Sequence, residues 1–283
     1  MKRLFLLFLF VVAVGCQKSS EESSRTVVVS IAPLATFAEK IAGDQIEIVT
    51  LVPAGADPHS WSPTPRQIDR VNQADLWFRL GEIGEEQLLR AVKGRDLAIL
   101  DVREGVELIY DPDHVCPHCQ QHHSGADQHI WLSPRVAQTI SQTMAAALIE
   151  HYPKLEDEIE TGLEQWLLEL RQLDREITAK VQGCKTILTS HAAYGYFARD
   201  YGLTQISIEV AGKEPTPQQL ANMMRRAQAS RARCIFVQPQ TNQKGAERVA
   251  HQLGLKIRVA DPLATDYAES LRQLAQDLSE CCQ

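Results

Sequence analysis

Basic excess is missing from this sequence: 29 Lys+Arg stand against 36 Asp+Glu, giving a formal net charge of −7. Such a balance supplies no cationic face, so nucleic acid is excluded as a partner. Aromatic residues are scarce at 6%, which argues against a base-stacking platform. No HExxH run occurs, and no general base is evident for a zinc hydrolase. No internal repeat stands out. What is present is a globular composition, 44% hydrophobic over 283 residues. That is enough for one large domain or two smaller ones, and it excludes general disorder.

The N-terminus points to export. Met1-Lys2-Arg3 precedes the apolar run LFLLFLFVVAV at 4–14, which is too short to span a bilayer as a permanent helix. The following Ala13-Val14-Gly15-Cys16 resembles a bacterial lipobox. In that reading residues 1–15 are a signal peptide and Cys16 is the lipidated first residue of the processed chain. Residues 16–25 then form a flexible tether, and the protein is anchored facing the periplasm or extracellular side. The alternative is an ordinary signal peptide cut nearby. Six further cysteines (Cys116, Cys119, Cys184, Cys234, Cys281 and Cys282) remain. In an oxidising compartment some of them pair, with a connectivity that sequence alone does not give.

Short β-branched runs alternate with helical patterns from residue 26 onward. Strands are predicted at 26–31, 46–51, 75–80 and 97–100, then at 185–190, 205–210, 234–237 and 256–260. This alternation predicts α/β architecture with parallel sheets, as two four-stranded βα lobes. The N-terminal lobe covers 26–152 and the C-terminal lobe 184–283. Between them Leu155, Ile159, Leu163, Trp166, Leu170, Leu173, Ile177 and Val181 recur at spacings of three and four, predicting one long linking helix over 153–183. Pro153 and Gly183 supply its start and stop signals. A His-rich surface loop at 111–128 interrupts the pattern. The segment DPDHVCPHCQQHHSGADQH at 111–129 holds five of the nine histidines.

Four side chains that ligate metals fall near predicted strand ends. His59 lies in GADPHSWSPTP, a loop stiffened by Pro53, Pro58, Pro63 and Pro65; His129 opens HIWLSP; His191 lies in TSHAAYGYF; Asp261 lies in ADPL. Ligands of open parallel sheets bind at the carboxyl ends of strands, so these four converge on a cleft between the lobes. Trp61 and Trp131 are expected to wall that cleft. Glu209 and Glu214 are expected in turn or hinge roles, and His151 and His251 on helix surfaces.

Several segments in register carry a resemblance: DPHSWSP with ADLWFRLGEIGEE, then HIWLSP, SHAAYGYFARDYGL, GKEPTPQQL and IFVQPQTNQKGAERVAHQLGLKIRVADPL. Together they resemble the cluster A-I solute-binding proteins, the metal receptors of zinc and manganese ABC transporters. The resemblance implies two α/β lobes bridged by a rigid helix, a monomeric receptor rather than an enzyme, and a cognate ABC permease as partner. It implies His59, His129, His191 and Asp261 as metal ligands. It also implies a disulfide from Cys234 to Cys282, or to its neighbour Cys281, stapling the C-terminal helix to a strand.

Three imidazoles and one carboxylate suit Zn²⁺, whereas Mn²⁺ prefers more oxygen. The resemblance to the zinc branch therefore implies zinc uptake, with manganese or iron as the alternative cargo. In the loop, His114, Cys116, His118, Cys119, His122 and His123 would hold a second zinc weakly, or stay solvated without a role. The Cys116-Pro-His-Cys119 tetrapeptide also resembles the active site of thiol-disulfide oxidoreductases. No apolar helical pattern follows Cys119, as that chemistry would need.

Overall fold

A computed structural model describes residues 25–92, 97–110, 125–209 and 216–282. The first half runs β1 (Thr26–Val29), α1 (Ala32–Ala42), β2 (Glu47–Thr50), α2 (Pro65–Gln73), β3 (Leu76–Arg79), α3 (Ile83–Ala91) and β4 (Ala98–Asp101). Helices α4 (Pro134–His151) and α5 (Glu156–Lys180) follow. The second half runs β5 (Thr186–Thr189), α6 (Gly195–Asp200), β6 (Thr204–Ser207), α7 (Pro217–Ser230), β7 (Cys234–Val237), α8 (Lys244–Leu253), β8 (Lys256–Val259) and α9 (Tyr267–Cys282).

The strands form two parallel four-stranded sheets with the same order, β2-β1-β3-β4 and β6-β5-β7-β8. Strand direction of travel reverses between β1 and β3, and again between β5 and β7. Each reversal opens a crevice at the carboxyl ends of the strands, where loops can present ligands. The lobes also share a helix start. Thr64-Pro65-Arg66-Gln67 opens α2 and Thr216-Pro217-Gln218-Gln219 opens α7, each with a reciprocal capping box between Thr and Gln. Pro at the first helical position costs nothing there, because that N–H has no partner in the helix.

β1 is buried along its whole length, and Val27, Val28 and Val29 are fully enclosed. Alternate residues face different cores. Val27 and Val29 join the large cluster that also contains Leu170, Ile187 and Phe236, while Val28 packs outward with Trp77 and Leu88. One apolar core therefore runs through both lobes, and α5 lies along it.

Helix α5 presents Ile159, Trp166, Leu170, Leu173 and Ile177 to this core and packs against α1, α4 and α9. A Cβ on Gly162 would sit 2.3 Å from the carbonyl oxygen of Ile41, so glycine is what lets α5 touch the backbone of α1. Phe37, Trp166 and Tyr267, from α1, α5 and α9, stack with centroid separations of 5.6, 4.9 and 6.1 Å. These three rings join the two lobes through the helix. The expected helix over 153–183 is shorter than its apolar pattern. Pro153–Leu155 is a 3-10 turn, Val181 is the C-cap, and Gly183 turns the chain with φ +90°. The 25 α-helical residues span about 38 Å at roughly 1.5 Å each.

Two disulfides fasten α9. Cys234 bonds to Cys281 and Cys184 bonds to Cys282, with Cα separations of 5.6 and 5.5 Å. The expected Cys234–Cys282 bond is thus corrected: Cys234 takes the neighbouring cysteine. Successive helical residues point about 100° apart, so Cys281 faces β7 while Cys282 reaches the segment before β5. Both bonds lie at the amino ends of their strands, the pole opposite the ligand crevices. Among the described residues no helix is long and apolar enough to cross a membrane.

Candidate metal centre

Three imidazoles meet at the carboxyl ends of the sheets. The ligand-capable nitrogens of His59, His129 and His191 lie within 4.8 Å of one another. Ring centroids are 5.0 Å apart for His59 and His129, and 5.3 Å for each of the other two pairs. His59 and His129 come from the N-terminal half and His191 from the second.

Each histidine is held by its own local device. Asp57 accepts the His59 amide at 3.0 Å through Oδ1 and the Ser60 hydroxyl at 3.0 Å through Oδ2, an Asx turn that fixes the loop after β2. Asp127 repeats the device, accepting the His129 amide at 2.9 Å. His191 lies two residues past β5, where Glu209 N, beyond the end of β6, donates to Ser190 O at 2.9 Å. That pairing sets His191 beside Glu209.

Every ring is backed by a carboxylate on its Nδ1. His59 donates to Glu82 Oε2 at 3.1 Å, His129 to Asp127 Oδ1 at 2.7 Å, and His191 to Glu209 Oε2 at 2.9 Å. An ionised carboxylate only accepts, so Nδ1 carries the proton and the Nε2 lone pair is left for a cation. His59 Nε2 lies 3.1 Å from His129 Nε2. Two nitrogens bound to one tetrahedral Zn²⁺ at about 2.0–2.1 Å would be roughly 3.3 Å apart, so this pair has nearly the spacing that zinc needs. His191 Nε2 is buried with no hydrogen-bond partner, as suits a nitrogen reserved for a metal.

The electrostatics fit the same reading. Burial opposes charge on His59, but Glu82, Asp57 and Asp127 outweigh it and raise this imidazole to about 9. His129 goes the other way. Burial pushes it down, repulsion from His59 and His191 adds to that, and Asp127 opposes. Without metal, a proton on His59 Nε2 faces the neutral His129 Nε2, and a metal ion would replace that proton.

Asp261 stands apart from this group. It follows β8, and its Oδ1 accepts from Gln240 Nε2 at 2.7 Å and from Leu263 N at 2.9 Å. Trp131 packs beside His129 at 5.4 Å, and Trp61 is packed against Gly84. The loop residues His114, Cys116, His118, Cys119, His122 and His123 lie outside the described residues, as do Cys16 and Glu214.

Glu82 and Asp127 escape the sequence reading, and Glu209 turns from an expected hinge residue into the partner of His191. Asp127 had a readable signal, because Asp-x-His occurs at 57–59 and again at 127–129. Glu82 had none, since it lies in a segment that reads as the start of a helix. Gly195 also serves the site: a Cβ there would lie 2.5 Å from Asp127 Oδ2.

Two lobes of one strand order, a helix packed along both, and three carboxylate-backed imidazoles define a metal-binding protein of the solute-receptor class. The chain belongs to the ZnuA family, zinc-uptake complex component A, periplasmic, whose model matches residues 27–281. It is 29% identical over 274 residues to the high-affinity zinc uptake system protein ZnuA of Bacillus subtilis, covering 90% of this chain and 85% of that one. It is 27% identical over 277 residues to a putative metal-binding protein of Chlamydia trachomatis, covering 96% and 98%. Among solved structures, a crystal structure of ZnuA superposes with a TM-score of 0.84 at 31% identity, covering 92% of this chain and 100% of that one.

Proposed function

We propose that this protein captures Zn²⁺ outside the cytoplasm and delivers it to an ATP-driven permease for uptake. The observation that carries the reading is the convergence of the His59, His129 and His191 nitrogens, each backed by a carboxylate. Three imidazoles favour Zn²⁺ over Mn²⁺, which prefers oxygen ligands. The backing carboxylates hold each ring in the liganding tautomer and make it more basic.

In this reading Asp261 is the fourth ligand, exchanging a hydrogen bond from Gln240 for the metal. Four protein ligands leave no open position for an activated water, so the protein acts as a receptor and not as a hydrolase. Residues 26–152 and 184–283 act as lobes across the helical segment 153–183. Residues 1–15 direct export, Cys16 carries the lipid, 16–25 tether the chain, and the receptor works as a monomer.

Elemental analysis of the purified chain tests the cargo, followed by zinc–manganese competition against a chelating dye. One tightly held zinc is expected, with zinc preferred at least about a hundredfold. Equal affinity for manganese would overturn the assignment. Asp261→Asn should weaken zinc binding at least about tenfold; unchanged affinity would remove Asp261 from the ligand set.

A further inference from the structure

We propose that Glu85, a carboxylate outside the cluster of three imidazoles, is a positioning residue of the metal centre: it clamps the 80–82 turn and thereby sets Glu82 against His59. The inference deepens the zinc-receptor reading and rests on it.

Glu85 is fully buried and is not one of the clustered metal ligands. Donors from two strand ends converge on it. Oε1 accepts from Leu80 N at 2.9 Å and from the Ser30 hydroxyl, while Oε2 accepts from Gly81 N at 2.6 Å and Glu82 N at 3.1 Å. Arg79 Nε adds an ion pair at 3.5 Å. Ser30 follows β1 and Leu80 follows β3, so Glu85 plugs the crevice where the first sheet reverses. Burial holds its carboxyl above the usual carboxylate range, with Glu82 adding to the rise and the Ser30 hydroxyl and the Leu80 and Gly81 amides opposing it. A buried acid with this many donors is a fixed point in the lobe.

The turn it fixes has little freedom. Gly81 has φ +93°, and a Cβ there would lie 2.3 Å from the Arg103 guanidinium. One residue further on, the Glu82 side chain meets His59 Nδ1 at 3.1 Å. The same helical turn is also seated on the His59 loop: a Cβ on Gly84 would lie 2.6 Å from the Trp61 carbonyl oxygen. Glu85 therefore acts on the ligand through one intermediary, whose backbone amide it holds directly.

The second lobe provides an internal control. Ser190 follows β5 as Ser30 follows β1, yet its hydroxyl is buried with no hydrogen-bond partner. Among the described residues no carboxylate fills that crevice as Glu85 fills the first. The first crevice, by contrast, holds its plug next to the turn that carries Glu82.

The test is a double-mutant cycle in the full chain, read by zinc affinity and by ¹⁵N-histidine spectra of the metal-free protein. Glu85→Gln should weaken zinc binding about tenfold or more. In a Glu82→Gln background the same change should cost less than about twofold, because the route to His59 is already cut. In the metal-free spectra Glu85→Gln should shift the His59 Nδ1 signal as Glu82→Gln does, and leave His191 unmoved. If Glu85→Gln does not fold, Ser30→Ala takes its place in the cycle with a smaller loss of the same pattern. Equal losses in both backgrounds, or an unmoved His59 signal, would overturn the proposal. Failure of the zinc reading looks different: the unsubstituted chain would not hold zinc tightly, and the His59 signal would still decide the role of Glu85.

Discussion

His59 and His129 face each other nitrogen to nitrogen at 3.1 Å, although 70 residues separate them in the chain. Each ring's other nitrogen donates to a carboxylate. A cation between the two lone pairs satisfies both, and in the metal-free state a proton does so.

Zinc loading should therefore release protons. His59 sits near 9, so it is protonated at neutral pH and must lose that proton to bind metal. Affinity falls as pH falls, by about tenfold per pH unit for each proton displaced. Calorimetry at pH 7.5 in buffers of different ionisation enthalpy should show about one proton released per zinc. Equal affinities at pH 7.5 and 5.5 would argue against histidine ligation.

The support of His129 should be sensitive to crowding from the opposite lobe. Gly195→Ala places a methyl group 2.5 Å from Asp127 Oδ2, displacing the carboxylate that orients the ring. Dye competition should show Gly195→Ala weakening zinc binding in the same range as Asp127→Asn, about 10–100-fold. A wild-type constant for Gly195→Ala would show that Asp127 can shift without cost to the ligand.

Deleting residues 114–123 should leave the tight site intact, because its three imidazoles are positioned by Asp57, Glu82, Asp127 and Glu209. The chelator-competition constant should stay within about threefold, since no backing partner is lost. Loss of the tight site on deletion would move the assignment to the loop.

The paired cysteines should matter for stability and not for metal. Cys184–Cys282 closes 98 residues and Cys234–Cys281 closes 47, worth about 4.7 and about 4.0 kcal/mol respectively in the chain-entropy view. Cys184→Ser should expose one thiol that the unsubstituted chain keeps paired, located at Cys282 by alkylation and peptide mapping. It should lower Tm by roughly 10 °C with zinc affinity unchanged. A free thiol at Cys281 would reverse the pairing.

Much of the architecture was legible because strand and helix periods alternate cleanly. All eight strands fall inside or within a residue of the predicted runs. Overshoot at the ends has local causes. Ile31, at the tail of one apolar run, becomes the N-cap residue before α1. Glu209, in another run, leaves β6 and turns its side chain to His191. The expected convergence of three histidines is present in the geometry, with His59 and His191 in loops after β2 and β5 and His129 opening the 3-10 turn before α4. Glu82 was not legible, because its contact with His59 spans 23 residues and depends on how two loops meet, whereas Asp127 repeats the Asp-x-His spacing of Asp57. Cys184 carried no local sign of its bond to Cys282, since only the packing of α9 brings them together.

Trp131 is stitched to the far lobe at two points: its ring nitrogen donates to Pro262 O at 2.7 Å, and its carbonyl accepts from the Tyr267 hydroxyl at 2.7 Å. A wide gape would break both bonds and wet a large indole. Lifting the His59 or His191 loop alone would leave both bonds in place. A permease that grips those loops would empty the receptor without prising it apart.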